Sequence, residues 1–281
     1  MARIRIRFLK KRKLYFAERP ARRSRRVGKG APTCRDGRAM SLSNVLQNHM
    51  TPTSDIGLIL LPGMDGTGEL LKPLAERLSA HRPVCIMAYP IDRHLDYVEL
   101  TDFVGERLPG DRFVILGESF SGPIAVAIAA TNPDAAGLIL ASSFVRHPLP
   151  QWMSALTWLL DVRWMPSTVI AAALMGSGAT PELARTLRCV LRELPPSLLR
   201  ARARDALRID ERLRLGETTC AMLCLHGSAD RLIGRDEIND IVAARPDCEL
   251  HRLDAPHMLL ATLADAAAAI IDDFCNRLAR N

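Results

Sequence analysis

From Asp55 to the C-terminal end, short apolar runs alternate with longer stretches whose apolar residues recur every third or fourth position. A short apolar run bounded by turn residues reads as a strand buried on both faces, and the longer spacing reads as a helix laid across it. The pattern predicts strands over Gly57 to Leu61, Pro83 to Ala88, Arg112 to Leu116, Gly137 to Ala141, Ala221 to Leu225 and Cys248 to Leu253. Between them it predicts helices over Gly68 to Ser79, Tyr97 to Leu108, Ser121 to Thr131, Arg235 to Ala244 and Thr262 to Leu278. Such alternation defines an α/β class with a mostly parallel central sheet flanked by helices.

The stretch from Trp152 to Leu215 breaks the alternation. It is rich in Leu, Ala and Arg, carries Pro166, Pro181, Pro195 and Pro196, and contains no strand-like run. We read residues at about 148 to 215 as an inserted helical cap. Its first part, Trp152 to Met175, is apolar but includes Asp161 and Arg163, which favours a lid helix or ordinary packing over a membrane anchor. No uninterrupted apolar run reaches the roughly 18 residues of a membrane span. With 281 residues, 48% of them hydrophobic and 25% charged, the remainder suits one large globular domain. The expected organisation is a basic, disordered leader over residues 1–50 and a domain over 51–281 that carries the cap.

The net charge of +7 changes meaning once it is located. Residues 1–40 hold 15 Lys and Arg against Glu18 and Asp36, which makes the leader +13 and leaves −6 for everything after it. An acidic body offers phosphates no general attraction, so a nucleic-acid partner is not expected, and any such role would rest on the leader alone. The leader lacks the apolar core of a secretory signal and the amphipathic stripe of a transit peptide. Seven scattered cysteines show neither disulfide nor zinc spacing. Reduced thiols in the cytoplasm are expected, with Cys220 and Cys224 packing as small apolar groups.

Within this frame a few residues can do chemistry. Phe113 to Leu116 runs into Gly117-Glu118-Ser119-Phe120-Ser121 and then into the helix-like Pro123 to Ala130. This is the strand, tight turn and helix of a nucleophile elbow, which lifts a serine hydroxyl clear of a sheet and admits only small residues two positions either side. Gly117 and Ser121 satisfy that limit, although a glycine is usual at the second place. A serine hydroxyl needs a base, and the base needs an orienting acid. Asp230 follows the strand Ala221 to Leu225 and the turn at Gly227, and His257 lies between the last strand and the last helix. The chain order Ser119, Asp230, His257 is that of a serine triad on this kind of sheet. His226, the rival polar residue, reads as a satisfied structural histidine.

The glycine-rich turn Leu61-Pro-Gly-Met-Asp-Gly-Thr-Gly68 follows the first strand and suits an oxyanion hole, with the N–H of Met64 paired to that of Phe120. It lacks the Gly-Lys-Ser/Thr ending of a phosphate loop. Asp65 is expected to brace the turn.

The segment from about Ile56 to Leu278 resembles the α/β-hydrolase family. The motifs Leu61 to Gly68 and Gly117 to Gly122 are similar to those of bacterial hydrolases related to the esterase/lipase/thioesterase portion of plant phytyl ester synthases. That resemblance implies a Ser119-Asp230-His257 triad, no metal or organic cofactor, and acyl-ester or thioester chemistry on a small lipophilic substrate. It leaves hydrolysis open against acyl transfer, and a non-catalytic binding protein on the same fold remains the alternative outside enzymes. The departures are Ser121, the basic leader, and the lack of an obvious first hairpin before Ile56, which leaves the strand number open.

Overall fold

The computed structural model describes residues 56–148 and 167–280. The basic leader, and the part of the cap from Trp152 up to Pro166, lie outside the described residues.

Six strands form one sheet among the described residues: β1 (Gly57–Leu61), β2 (Val84–Ile86), β3 (Phe113–Glu118), β4 (Ala135–Ala141), β5 (Ala221–Gly227) and β6 (Glu249–Leu253). Their order is β2-β1-β3-β4-β5-β6, and each neighbouring pair is parallel. The helices, in chain order, are α1 (Lys72–Leu78), α2 (Tyr97–Gly105), α3 (Gly122–Thr131), α4 (Ser167–Met175), α5 (Pro181–Glu193), α6 (Pro196–Ala206), α7 (Arg212–Glu217), α8 (Arg235–Ala244), α9 (Leu259–Thr262) and α10 (Ala264–Ala279).

Side chains alternate across a strand, so one apolar run feeds two layers. Ile59, Leu61, Phe113 and Ile115 face α2, α3 and α8, where Leu100, Ile124 and Ile241 complete one core. Leu58, Leu60, Val114 and Leu116 face α1 and α10, where Leu74, Leu78 and Ile271 complete the other. The apolar runs are uninterrupted for this reason: both faces are covered.

Each predicted strand and helix has its counterpart; β1 and α8 keep their predicted ends and the others shift. β3 and β5 extend two residues past the predicted Leu116 and Leu225, because strand pairing continues up to the turns that follow. The predicted helix at Gly68 opens as a 3₁₀ turn over Glu69–Leu71, and the one at Ser121 is preceded by a 3₁₀ turn over Ser119–Ser121. Helix α2 starts where Asp96 accepts the Glu99 amide and Glu99 accepts the Asp96 amide, each at 2.9 Å. Between β4 and β5 the described residues form four helices, α4 to α7, and no strand. Their apolar faces make two small clusters that take in Leu70 and Met258 on one side and Met64 on the other.

Candidate active site

Parallel strands deliver their following loops to one edge of the sheet, and three such loops converge here. Ser119 comes directly off β3 with φ 49°, a left-handed conformation that a side chain adopts only under constraint. The constraint is visible. Its carbonyl accepts from the Ser143 hydroxyl at 2.6 Å, and Gly122, the first residue of α3, donates its amide to the same carbonyl. A Cβ at Gly117 would stand 2.6 Å from the Ser121 carbonyl oxygen, so the strand-to-helix crossing is too close for any other residue.

Asp230 lies in the loop after β5 and His257 in the loop between β6 and α9. The two loops are stitched together by Ser228 N–H to the Leu253 carbonyl at 2.8 Å and Ala229 N–H to the Ala255 carbonyl at 3.0 Å. Ser119 Oγ lies 2.9 Å from His257 Nε2, and His257 Nδ1 lies 2.8 Å from Asp230 Oδ2. The other Asp230 oxygen accepts the amides of Leu232 and Ile233, at 2.8 and 3.0 Å. Burial works to raise the Asp230 carboxyl, but the hydrogen bond and charge of His257 and these two amides outweigh it, and the net shift is downward.

The turn after β1 packs against the serine: a Cβ at Gly63 would sit 4.0 Å from Ser119 Cβ. Among the described residues, neither the Met64 nor the Phe120 amide is used in a hydrogen bond to the protein. Phe120 is held by stacking on Tyr97, with ring centroids 4.8 Å apart, and by the Tyr97 hydroxyl, which donates to its carbonyl at 3.0 Å. Asp65 braces the turn as expected, accepting the amide and hydroxyl of Thr67 at 2.8 and 2.5 Å.

Ser119, His257 and Asp230 are therefore joined by hydrogen bonds, with Phe120 next in the chain and the turn that bears Met64 packed against the serine. His226 is buried nearby, but its Nδ1 has no hydrogen-bond partner among the described residues, so the expectation that it is satisfied does not hold. Three polar residues of the site escaped the sequence reading. Glu118 is buried, and desolvation, reinforced by Asp65, raises it to about 8 against an opposing hydrogen bond from the Gly63 amide. Tyr89 donates to, or accepts from, the Ser121 hydroxyl at 2.6 Å. Arg202 on α6 is 1% exposed and donates to the backbone carbonyls of Met64 and Asp65, each at 2.8 Å, and of Pro90 at 3.0 Å. A signal for Arg202 exists: Leu198, Leu199, Ala203 and Ala206 form a buried helical stripe, and position 202 lies within it.

Among the described residues, no cluster of three or more His, Cys, Asp or Glu could hold a metal, and no helix is long and apolar enough to cross a membrane. Cys85, Cys220, Cys224, Cys248 and Cys275 are free thiols, whereas Cys189 is disulfide-bonded, which corrects the expectation that the cysteines are all reduced.

A parallel sheet covered on both faces, with an elbow serine, an acid loop and a histidine loop at one edge, defines a hydrolase of the α/β fold. The chain belongs to the hydrolase family described as serine aminopeptidase, S33, whose model matches residues 92–261, about three-fifths of the sequence. No curated protein matches it significantly. Solved structures similar in fold include the enol-lactonase from Burkholderia xenovorans LB400, at 16% identity and a TM-score of 0.70, with 81% of this chain and 94% of that one covered. A thermophilic esterase from Thermogutta terrifontis matches at 20% identity and a TM-score of 0.64, with 79% and 90% covered. A bromoperoxidase from Bacillus anthracis matches at 14% identity and a TM-score of 0.70, with 79% and 92% covered.

Proposed function

We propose that the protein is a serine hydrolase that cleaves a carboxylic ester or thioester through an acyl-enzyme on Ser119. The observation that carries this reading is the unbroken hydrogen-bond chain from Ser119 Oγ through His257 to Asp230, beside two unused amides.

In this mechanism His257 Nε2 takes the Ser119 proton as Oγ bonds to the acyl carbon. The carbonyl π pair moves onto oxygen, and the Met64 and Phe120 amides stabilise that charge. Asp230 holds the ring so that Nε2 is the basic nitrogen and offsets the imidazolium charge. When the tetrahedral species collapses, the bond to the alcohol or thiol breaks and the departing group takes the proton from His257. Water, deprotonated by the same nitrogen, then attacks the acyl-enzyme; the acid leaves and Ser119 regains its proton.

Ester chemistry is also what the names enol-lactonase and esterase denote among the fold neighbours. The family description names an aminopeptidase, so the assay panel includes an aminoacyl p-nitroanilide beside p-nitrophenyl esters of rising chain length. The apolar faces of α5 and α6 near Met64 and Met258 support a lipophilic acyl group, which the longer esters test. We expect Ser119→Ala to lower ester turnover by roughly three orders of magnitude or more and to abolish labelling by a fluorophosphonate. Wild-type turnover in that variant overturns the assignment. Product carried to an added alcohol instead of water would identify an acyltransferase on the same three residues.

A further inference from the structure

The turn that bears Met64 is held by two polar contacts that the proposed mechanism does not use. From the elbow side, the Ser121 hydroxyl donates to the Pro62 carbonyl and is itself engaged by the Tyr89 hydroxyl. From α6, the Arg202 guanidinium takes the Met64 and Asp65 carbonyls with Nη1 and the Pro90 carbonyl with Nη2. The guanidinium is packed against Gly66, where a Cβ would stand 2.5 Å from Nη1, and it lies 5.8 Å over the Tyr89 ring.

Among the described residues no carboxylate accepts a hydrogen bond from Arg202, and Asp65 acts on it through charge alone, although a buried cation ordinarily sits directly against an acid. Nη1 and Nη2 go instead to three backbone carbonyls on two loops, while Nε has no hydrogen-bond partner among the described residues. A carbonyl held at one point restrains its whole planar peptide, and the two consecutive ones here restrain the dihedral angles of Asp65 between them, leaving only those of Met64 between the gripped peptide and the Met64 N–H. Met64 lies between the Gly63–Met64 peptide, whose N–H is the proposed oxyanion donor, and the Met64–Asp65 peptide, whose carbonyl Arg202 grips. The sequence link is α6, whose stripe of Leu198, Leu199, Ala203 and Ala206 anchors the helix and delivers position 202 inward.

We propose that Arg202 is a positioning residue for the oxyanion hole, through which α6, in the segment between β4 and β5, sets the aim of the Met64 amide. The inference rests on the serine-hydrolase reading of the site. It also gives Ser121, the departure from the usual glycine, a part in the same positioning, since its hydroxyl ties the start of the turn to the elbow.

The test compares an ester with its thiono counterpart, in which sulfur replaces the carbonyl oxygen. The developing negative charge then lies on a large, weak hydrogen-bond acceptor that gains little from oxyanion donors. Arg202→Lys keeps one cation but cannot fork to three carbonyls, and Arg202→Met keeps only bulk. For Arg202→Lys we expect kcat on the ester to fall on the order of tenfold, KM to stay within about twofold, and the ester-to-thiono ratio of kcat/KM to fall with kcat. Arg202→Met, where it folds, should show the same pattern more strongly. A merely structural role would lower both substrates alike. An unchanged ratio in Arg202→Lys, with Ser119→Ala inactive, overturns the inference and leaves the serine reading standing. Full activity in Ser119→Ala overturns both.

Discussion

Beside Ser119 two buried carboxyl groups, Glu118 and Asp65, have their proton affinity raised by burial. Glu118 immediately precedes the proposed nucleophile and, held at about 8 by desolvation and by Asp65, stays protonated at neutral pH. A neutral neighbour suits this place in the proposed mechanism, since a carboxylate there would oppose negative charge on the acyl oxygen. The linkage has a definite sign. In the unfolded chain Glu118 loses its proton near 4.5, whereas in the folded chain it keeps it up to about 8. Between those values the folded state binds more protons, so stability falls as pH rises across that window and levels off above it. Asp65, also raised by burial against the hydrogen bonds of Thr67, adds a slope of the same sign. Glu118→Gln retains an acceptor for the Gly63 amide but cannot ionise. Thermal melts of this variant should therefore decline less between about pH 5 and pH 8 than those of wild type, and the proposed hydrolysis of a p-nitrophenyl ester should persist where that of wild type falls, near pH 8. Parallel melt curves for the two proteins would refute the assignment of the slope to Glu118.

At the scale of elements, the site depends on loops that pass closely at one end of the sheet. Gly227 ends β5 and faces the backbone of the histidine loop: a Cβ there would lie 2.7 Å from the Pro256 carbonyl oxygen and 3.0 Å from the Ala255 carbonyl carbon. Both obstacles are main chain, which must shift to make room. Gly227→Ala should displace the loop that carries His257 and open its 2.9 Å contact with Ser119, lowering kcat by roughly ten- to a hundredfold. Gly105, at the end of α2, is the matched control. A Cβ there meets only Ile128 Cδ1, at 3.8 Å, and alanine at a helical position removes unfolded-state freedom. Gly105→Ala should leave kcat unchanged and raise stability by about 0.4–1 kcal/mol, as measured by denaturant titration.

Across the whole molecule, the early and late parts of the described chain are tied by charge. Arg82, just before β2, has a 1% exposed side chain and donates to Asp272 at 2.7 Å and to Asn276 at 2.7 Å, both on α10. Together with the packing of α1 against α10 in the second core, this pins the first and last parts of the described fold to each other. Removing one partner of a buried pair leaves a desolvated charge, at a cost of about 3–5 kcal/mol for a fully buried case. Asp272 retains 22% side-chain exposure, so Asp272→Ala should fall toward the lower end, with a Tm lower by roughly 5 to 10 °C and kcat unaltered well below the melt. An unchanged Tm would show that solvent already shares the Arg82 charge.

The order and type of the elements were legible because apolar periodicity is local: a run such as Phe113 to Leu116 can be buried on both faces in only a few ways. The elbow, the acid and the histidine were legible because each follows a strand whose carboxyl end is one place in space, so chain order stands in for geometry. Arg202 was not legible in that way. Of the three alternating arginines, Arg200, Arg202 and Arg204, position 202 is the one within the apolar stripe of α6, but the carbonyls it meets there belong to loops far away in the chain. Glu118 was seen as part of a motif but not as a neutral acid, because its proton is held by the exclusion of water and by Asp65, neither of which is set by its neighbours in sequence. The chain by itself thus determines the alternation of strands and helices and which residue types meet at the sheet edge. The tertiary structure alone decides which buried charges keep or lose protons and which carbonyls they grip, because desolvation and hydrogen-bond geometry depend on segments far apart in sequence.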